Sequence, residues 1–122
     1  MIWSIRRRPT FEALRRPQRR VRSGPISVAF VSREALGSVA LGDLGNYSIS
    51  EFAFSIPRRV GKAVTRNTIR RRLRAEVARL QEGLAPGAYL VATAPAAATV
   101  GARELAAHLD RALAPFRERP PR

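Results

Sequence analysis

The chain has 122 residues, a formal net charge of +14 and 45 % hydrophobic residues, enough for one domain with one core and too apolar for a disordered polycation. It has no cysteine and a single histidine, His108, which excludes disulfides, thiolate metal sites, cysteine nucleophiles and paired-histidine centres. No apolar stretch approaches the ~20 residues of a membrane span, and the five residues before Arg6-Arg7-Arg8 are too few for a signal sequence, so the expected location is the cytoplasm.

In chain order, residues 1–9 read as a flexible basic leader, residues 10–116 as the folded domain and 117–122 as a disordered, proline-rich tail. Thr10 is placed to cap a short helix with Phe11 and Leu14 on one face, and Pro17 stops it. Residues 18–25 form a basic approach ending in the turn residues Ser23-Gly24-Pro25. Ile26, Val28 and Phe30 then alternate with Ser27, Ala29 and Val31 as a first strand. Residues 33–50, rich in Gly and Ser, are a long connection with room for a short strand near 37–41. Phe52, Phe54 and Ile56 mark a second strand, closed by Pro57.

From Thr65 to about Glu82 the period becomes helical, with Ile69, Leu73, Val77 and Leu80 recurring at helical spacing. Thr65 is the candidate N-cap and Gly83 the C′ residue. Ala88–Ala94 is a third strand, apolar on both faces and therefore central. Thr99 is the candidate cap of a last helix carrying Leu105, Leu109 and Leu113, ended by Pro115. The order is α-β-β-α-β-α, an α/β sandwich, and the β-α-β unit in it has a right-handed crossover by default.

The charge points to an anionic partner, because self-repulsion works against a compact polycation and a polyanion relieves it. Of the 23 basic residues all but Lys62 are arginine. That bias suits planar, bidentate phosphate recognition, and it equally suits a GC-rich genome. The densest block, Arg58 to Arg74, holds Arg58, Arg59, Lys62, Arg66, Arg70, Arg71, Arg72 and Arg74 without one acid. On a helix turning about 100° per residue, Asn67, Arg70, Arg71 and Arg74 oppose the apolar stripe, and Arg66 and Arg72 flank it. Like charges at 66/70 and 70/74 destabilise a helix by a few tenths of a kcal/mol each, roughly, so this face suits a bound polyanion better than an ordinary solvated surface. Gly61-Lys62 before the helix lacks the spacing of a nucleotide phosphate loop. The nine acids, Glu12, Glu34, Asp43, Glu51, Glu76, Glu82, Glu104, Asp110 and Glu118, are scattered and give no carboxylate cluster for a two-metal nuclease. No residue is assigned a catalytic or metal-binding role.

The run Val60-Gly61-Lys62-Ala63-Val64-Thr65-Arg66-Asn67-Thr68-Ile69-Arg70-Arg71-Arg72-Leu73-Arg74 resembles the signature of the bacterial ribonuclease P protein component, with Arg66 and Asn67 opening its RNR motif. Thr10 to Pro25, Ala53 to Arg59 and Pro86 to Tyr89 resemble the flanking family segments in the same order, so the resemblance spans about residues 8–114. It implies a ribosomal-protein-domain-like α/β sandwich with a left-handed β-α-β crossover, contrary to the default. It implies a monomer that binds the catalytic RNA subunit, an RNA that uses Mg²⁺, and the 5′ leader of precursor tRNA during endonucleolytic release of the mature 5′ end.

Carried over by position, Arg58, Arg59, Lys62, Arg66, Asn67, Arg70, Arg71, Arg72 and Arg74 would contact the RNA subunit. Phe11, Arg15, Val28 and Phe30 would line a leader cleft between the first helix and the sheet. Phe11 serves equally as a stacking platform or a core anchor, whereas for Val28 and Phe30 a place in the core strand is the better fit. Arg15 stands where many relatives have a second aromatic residue, and Pro57 where serine is usual. Trp3 does not match the usual start of the family.

Two other classes share the charge. One is a structural RNA-binding protein of ribosomal type with no part in cleavage. The other is a peripheral membrane protein, which would set its basic residues around an insertable Trp/Phe/Leu face; the helix here carries Ile, Leu and Val suited to a core.

Overall fold

The structure, a computed structural model, describes residues 2–4, 14–32 and 50–118. Five strands form one sheet: β1 (Ile2–Ser4), β2 (Arg19–Ser23), β3 (Ile26–Ser32), β4 (Ser50–Ser55) and β5 (Gly87–Thr93), in the spatial order β1-β4-β5-β3-β2. β1 and β5 run parallel to β4, while β3 is antiparallel to both β5 and β2. Among the described residues two helices, α1 (Ala63–Leu80) and α2 (Ala102–Leu113), pack together on one face of the sheet. Short 3-10 turns cover Arg58–Val60, Pro95–Ala98 and Ala114–Phe116. This is the mixed α/β class expected from the sequence.

The strand periodicity divides the core into two clusters. Ile26, Val28 and Phe30 of β3, Phe52 of β4, and Tyr89 and Val91 of β5 face the helices. There they meet Ile69, Leu73, Val77 and Leu80 of α1 and Leu105, Leu109, Ala112 and Leu113 of α2. Phe30, Phe52, Tyr89 and Phe116 interlock, with Phe52 stacked on Tyr89 at 4.7 Å and Phe116 edge-on to Tyr89 at 5.6 Å. The Tyr89 hydroxyl donates to the Ala85 carbonyl, which lets a phenol sit in an apolar layer. Burial, and secondarily the negative charge of Glu118, push its pKa well above the usual tyrosine range. On the other face, Leu14 covers Ala29, Val31 and Ala88, with Ala53 and Leu90 beside them.

The basic approach at 18–25 is itself a strand. β2 pairs with β3 from Arg19↔Phe30 to Ser23↔Ile26, and Gly24-Pro25 makes a two-residue hairpin loop. Gly24 has φ +55°, open to glycine at no steric cost, and Pro25 fixes the negative φ that follows. Four of the five β2 residues are polar, and only Val21 packs against the core. An edge strand with so little apolar content gives almost no period-two hydrophobic signal.

Other expectations change at element ends. Ile2–Ser4, read as part of a flexible leader, form an edge strand on β4. α1 starts at Ala63 behind Lys62, so Thr65 lies inside it and caps nothing; Lys62 makes no side-chain cap bond either. α1 ends at Leu80, and Gly83 (φ +85°) follows the cap residue Gln81 by two positions. α2 is preceded by Gly101, and Thr99 closes the 3-10 turn before it. The expected disordered tail is tied down at its start: the Glu118 N–H donates to Gly83 O at 2.7 Å, and Arg117 donates to Glu82 O at 3.2 Å. The predicted helix after Thr10 lies outside the described residues as far as Ala13, as does the connection 33–49.

β5 reaches its central position through a close approach at Gly87. A Cβ there would lie 2.3 Å from Val31 O and 3.0 Å from the Phe30 ring. Backbone at this distance has no room to yield, so Gly87→Ala should destabilise the fold by at least about 2 kcal/mol, read as a lowered midpoint in urea denaturation.

Candidate nucleic-acid interface

α1 is an amphipathic helix whose buried stripe is the one expected from the sequence. Its outer surface carries Asn67, Arg71 and Arg74, all exposed, with Arg70 half-buried between them. Arg70 donates to Asn67 Oδ1 at 3.3 Å, one turn back, which holds a guanidinium and an amide in one plane-edged cluster. Arg66 points the other way: its Nε donates to Gly61 O at 3.2 Å, clasping the turn that leads into the helix. Arg58, Arg59 and Lys62 are exposed in and just after the 3-10 turn preceding α1. Among the described residues none of these cations is held in an ion pair. Glu76, the nearest acid along the helix, is bonded to Arg79 at 2.9 Å.

A second basic surface lies on the opposite face of the sheet. Strand alternation sends Arg20 and Arg22 of β2 to that face, beside Ala29 and Ser27 of β3. At one end this face is covered by Leu14. At the hairpin end it is open and forms a groove of about 520 Å³ lined by Arg20, Arg22, Ser27, Arg59 and Ala92. Ser27 and Ala92 are paired across β3 and β5. Their small side chains leave a shallow floor, with arginines on β2 at one wall and Arg59 at another. Arg15 and Arg16 are exposed directly after Leu14.

The sequence-predicted site residues therefore separate. Arg58, Lys62, Asn67, Arg70, Arg71, Arg72 and Arg74 stay together along the α1 side. Arg59, grouped with them in the sequence, lines the open-face groove. Val28 and Phe30 do not line a cleft against the first helix. They share the parity of Ile26, point to α1 and α2, and are buried in that core; the residues of β3 on the Leu14 side are Ala29 and Val31. Phe11 lies outside the described residues. Arg20 and Arg22 went unassigned in the sequence, although two arginines flanking Val21 are the signal that places both on one face of a strand.

Among the described residues no group of three His, Asp or Glu side chains converges as a metal site. The described residues gather no carboxylates at one point, as Mg²⁺ coordination asks. What the arrangement offers is phosphate recognition: guanidinium forks and an amide on one surface, and a groove walled by arginine on the other.

A family model described as Ribonuclease P matches residues 3–117. The ribonuclease P protein component of Thermobifida fusca is 36 % identical over 110 residues, covering 89 % of this chain and 72 % of that protein. The RNase P protein of Staphylococcus aureus superposes with a TM-score of 0.75 at 15 % identity, covering 92 % of this chain and 93 % of the other. The RNase P protein from Thermotoga maritima superposes with a TM-score of 0.71 at 17 % identity, covering 90 % and 94 %. Those two likenesses are of fold. With the family model spanning nearly the whole sequence and a relative above one-third identity, the chain belongs to the ribonuclease P protein family, a protein component of tRNA processing.

Proposed function

We propose that this chain is the cytoplasmic protein subunit of ribonuclease P, acting as a monomer between two RNAs. The outer surface of α1, with Arg58 and Lys62, binds the catalytic RNA subunit. The open-face groove, walled by Arg20, Arg22 and Arg59, holds the 5′ leader of precursor tRNA, and the family resemblance adds Phe11 and Arg15 to the leader contacts. The observation that carries this reading is the pair of basic surfaces on opposite sides of one sheet, joined at the 3-10 turn Arg58–Val60.

The chemistry follows from the charge. Two RNA strands brought close repel each other through their phosphates, and arginines on both surfaces lower that cost. Guanidinium forks fix phosphate register without reading sequence, and the Asn67 amide suits a ribose 2′-hydroxyl. The phosphodiester hydrolysis that frees the mature 5′ end is assigned to the RNA subunit. The Mg²⁺ it uses is assigned to RNA ligands, because the described residues of this chain do not fit that ion. The protein's part is to bind, orient and neutralise.

Reconstitution tests the reading as a whole. Adding the chain to the RNA subunit at low Mg²⁺ should accelerate leader removal from precursor tRNA; an unchanged rate would overturn it. The two surfaces are separable by mutation. Arg70→Ala with Arg74→Ala should weaken binding to the RNA subunit and reduce the log–log salt slope by about one to two units, measured by filter binding across a salt series. Arg20→Ala with Arg22→Ala should leave that slope unchanged and lower the affinity of the reconstituted enzyme for precursor tRNA relative to mature tRNA, by roughly tenfold for two phosphate contacts.

A further inference from the structure

The one histidine of the chain lies outside both basic surfaces, yet it is bound to the strand that carries one of them. We propose that His108 is a positioning residue for leader binding: from α2, on the helix side of the sheet, it clamps the β2–β3 turn and so fixes the arginines of the open-face groove. The inference rests on the groove reading above.

Three contacts define the clamp. His108 Nδ1 is 2.9 Å from Ser23 Oγ. With Nδ1 unprotonated the serine hydroxyl donates to it; on a protonated ring Nδ1–H donates to the serine oxygen. The imidazole also lies directly on Gly24. A Cβ built there would sit 2.5, 2.6 and 2.8 Å from ring Cε1, Nε2 and Nδ1, so only a glycine allows the ring this close. In the third contact Nε2 lies 3.9 Å from Glu104 Oε1, one turn back on α2, an ion pair when the ring is protonated. The side chain is only 14 % exposed, so it is not presented to RNA. Among the described residues it also joins no metal-ligand group.

The clamp matters because, apart from its ladder to β3 and the Ala94 N–H that donates to Pro25 O at 2.8 Å beside the turn, β2 has little to fix it. It is an edge strand paired only with β3. One of its residues, Val21, packs on the core, and Arg19 lies over the Phe116 ring at 5.6 Å. Ser23 and Gly24, the two residues His108 holds, directly follow Arg22. The Arg22 Nε donates to the Gly24 carbonyl at 3.3 Å, so the guanidinium of the groove wall is referenced to the same turn. A turn released from α2 would free both Arg20 and Arg22 from a fixed spacing to Arg59 across the groove. The entropy of ordering them would then fall on RNA binding.

The experiment compares precursor and mature tRNA affinities of the enzyme reconstituted from full-length chain and RNA subunit, at a temperature well below the melting point of every variant. His108→Ala should lower the precursor-to-mature affinity ratio about three- to tenfold, the worth of one part-buried hydrogen bond, with affinity for the RNA subunit unchanged. Ser23→Ala should do the same, and the double variant should be no worse than either alone. His108→Asn, which offers a polar atom near the Nδ1 position, should recover most of the ratio. Should His108→Ala fail to fold, Ser23→Ala carries the same comparison. A lowered melting point with an unchanged ratio, while Arg20→Ala with Arg22→Ala lowers it, would reduce His108 to a packing residue and overturn the clamp. Additive losses in the double variant would overturn it as well. If the arginine pair leaves the ratio unchanged too, the groove reading itself falls and the clamp with it.

Discussion

β5 is flanked by strands on both edges and fully buried toward the helices, and the rest of the molecule is arranged around satisfying it. Toward the helices it presents Tyr89 and Val91, both without exposed surface. Tyr89 anchors an aromatic layer with Phe30, Phe52 and Phe116. A fully buried side chain of this size contributes on the order of 2–3 kcal/mol through area alone, and ring–ring contacts add to that. Toward the other face β5 presents the buried but small Ala88 and the half-buried Leu90 and Ala92. The large apolar side chains are thus spent on one side of the sheet. The other side is left shallow enough for Leu14 to cover one end and for a groove to remain at the other.

That asymmetry places the charge. A chain at +14 has few acids with which to neutralise itself. Those on the described elements are largely committed elsewhere: Glu76 to Arg79, Asp110 to Arg117, Glu104 to His108. None of the three pairs lines the groove, and the one on α1, Glu76 with Arg79, lies beyond the block 58–74. The cations of residues 58–74 are left without carboxylate partners among the described residues. Like charges along α1 cost a few tenths of a kcal/mol per pair, roughly, a small loss against a buried stripe of Ile69, Leu73, Val77 and Leu80. Packing therefore sets the helix, and the unneutralised surface is what it presents to RNA. The His108 clamp extends the same logic, since an edge strand too polar to anchor itself is referenced to the helix layer through its turn.

Much of this is written in the chain. The period of α1, its buried stripe and the block Val60 to Arg74 were legible because helical amphipathicity is a local property, repeated within a few turns. The central position of β5 was legible because both parities of Ala88–Ala94 are apolar. Helix starts at Thr65 and Thr99 were misplaced because capping preference is worth only about 1 kcal/mol and the turns at Arg58–Val60 and Pro95–Ala98 set where each helix begins. β2 was missed because an exposed edge strand needs no apolar alternation.

By itself, then, the sequence determined the elements with strong periodicity, the absence of thiol chemistry, and the family through one long, ungapped basic motif. Only the tertiary structure decided which face each residue serves. Val28 and Phe30 carry the same composition signal as cleft residues, and strand register turned them into the core. Arg59 is adjacent in sequence to Arg58, and the 3-10 turn sent it to the groove. Arg20, Arg22 and His108 are unremarkable until β2 pairs with β3 and α2 packs behind it. The reason is that local pattern fixes period but not parity: which side of a sheet is inside depends on contacts made far away in the chain.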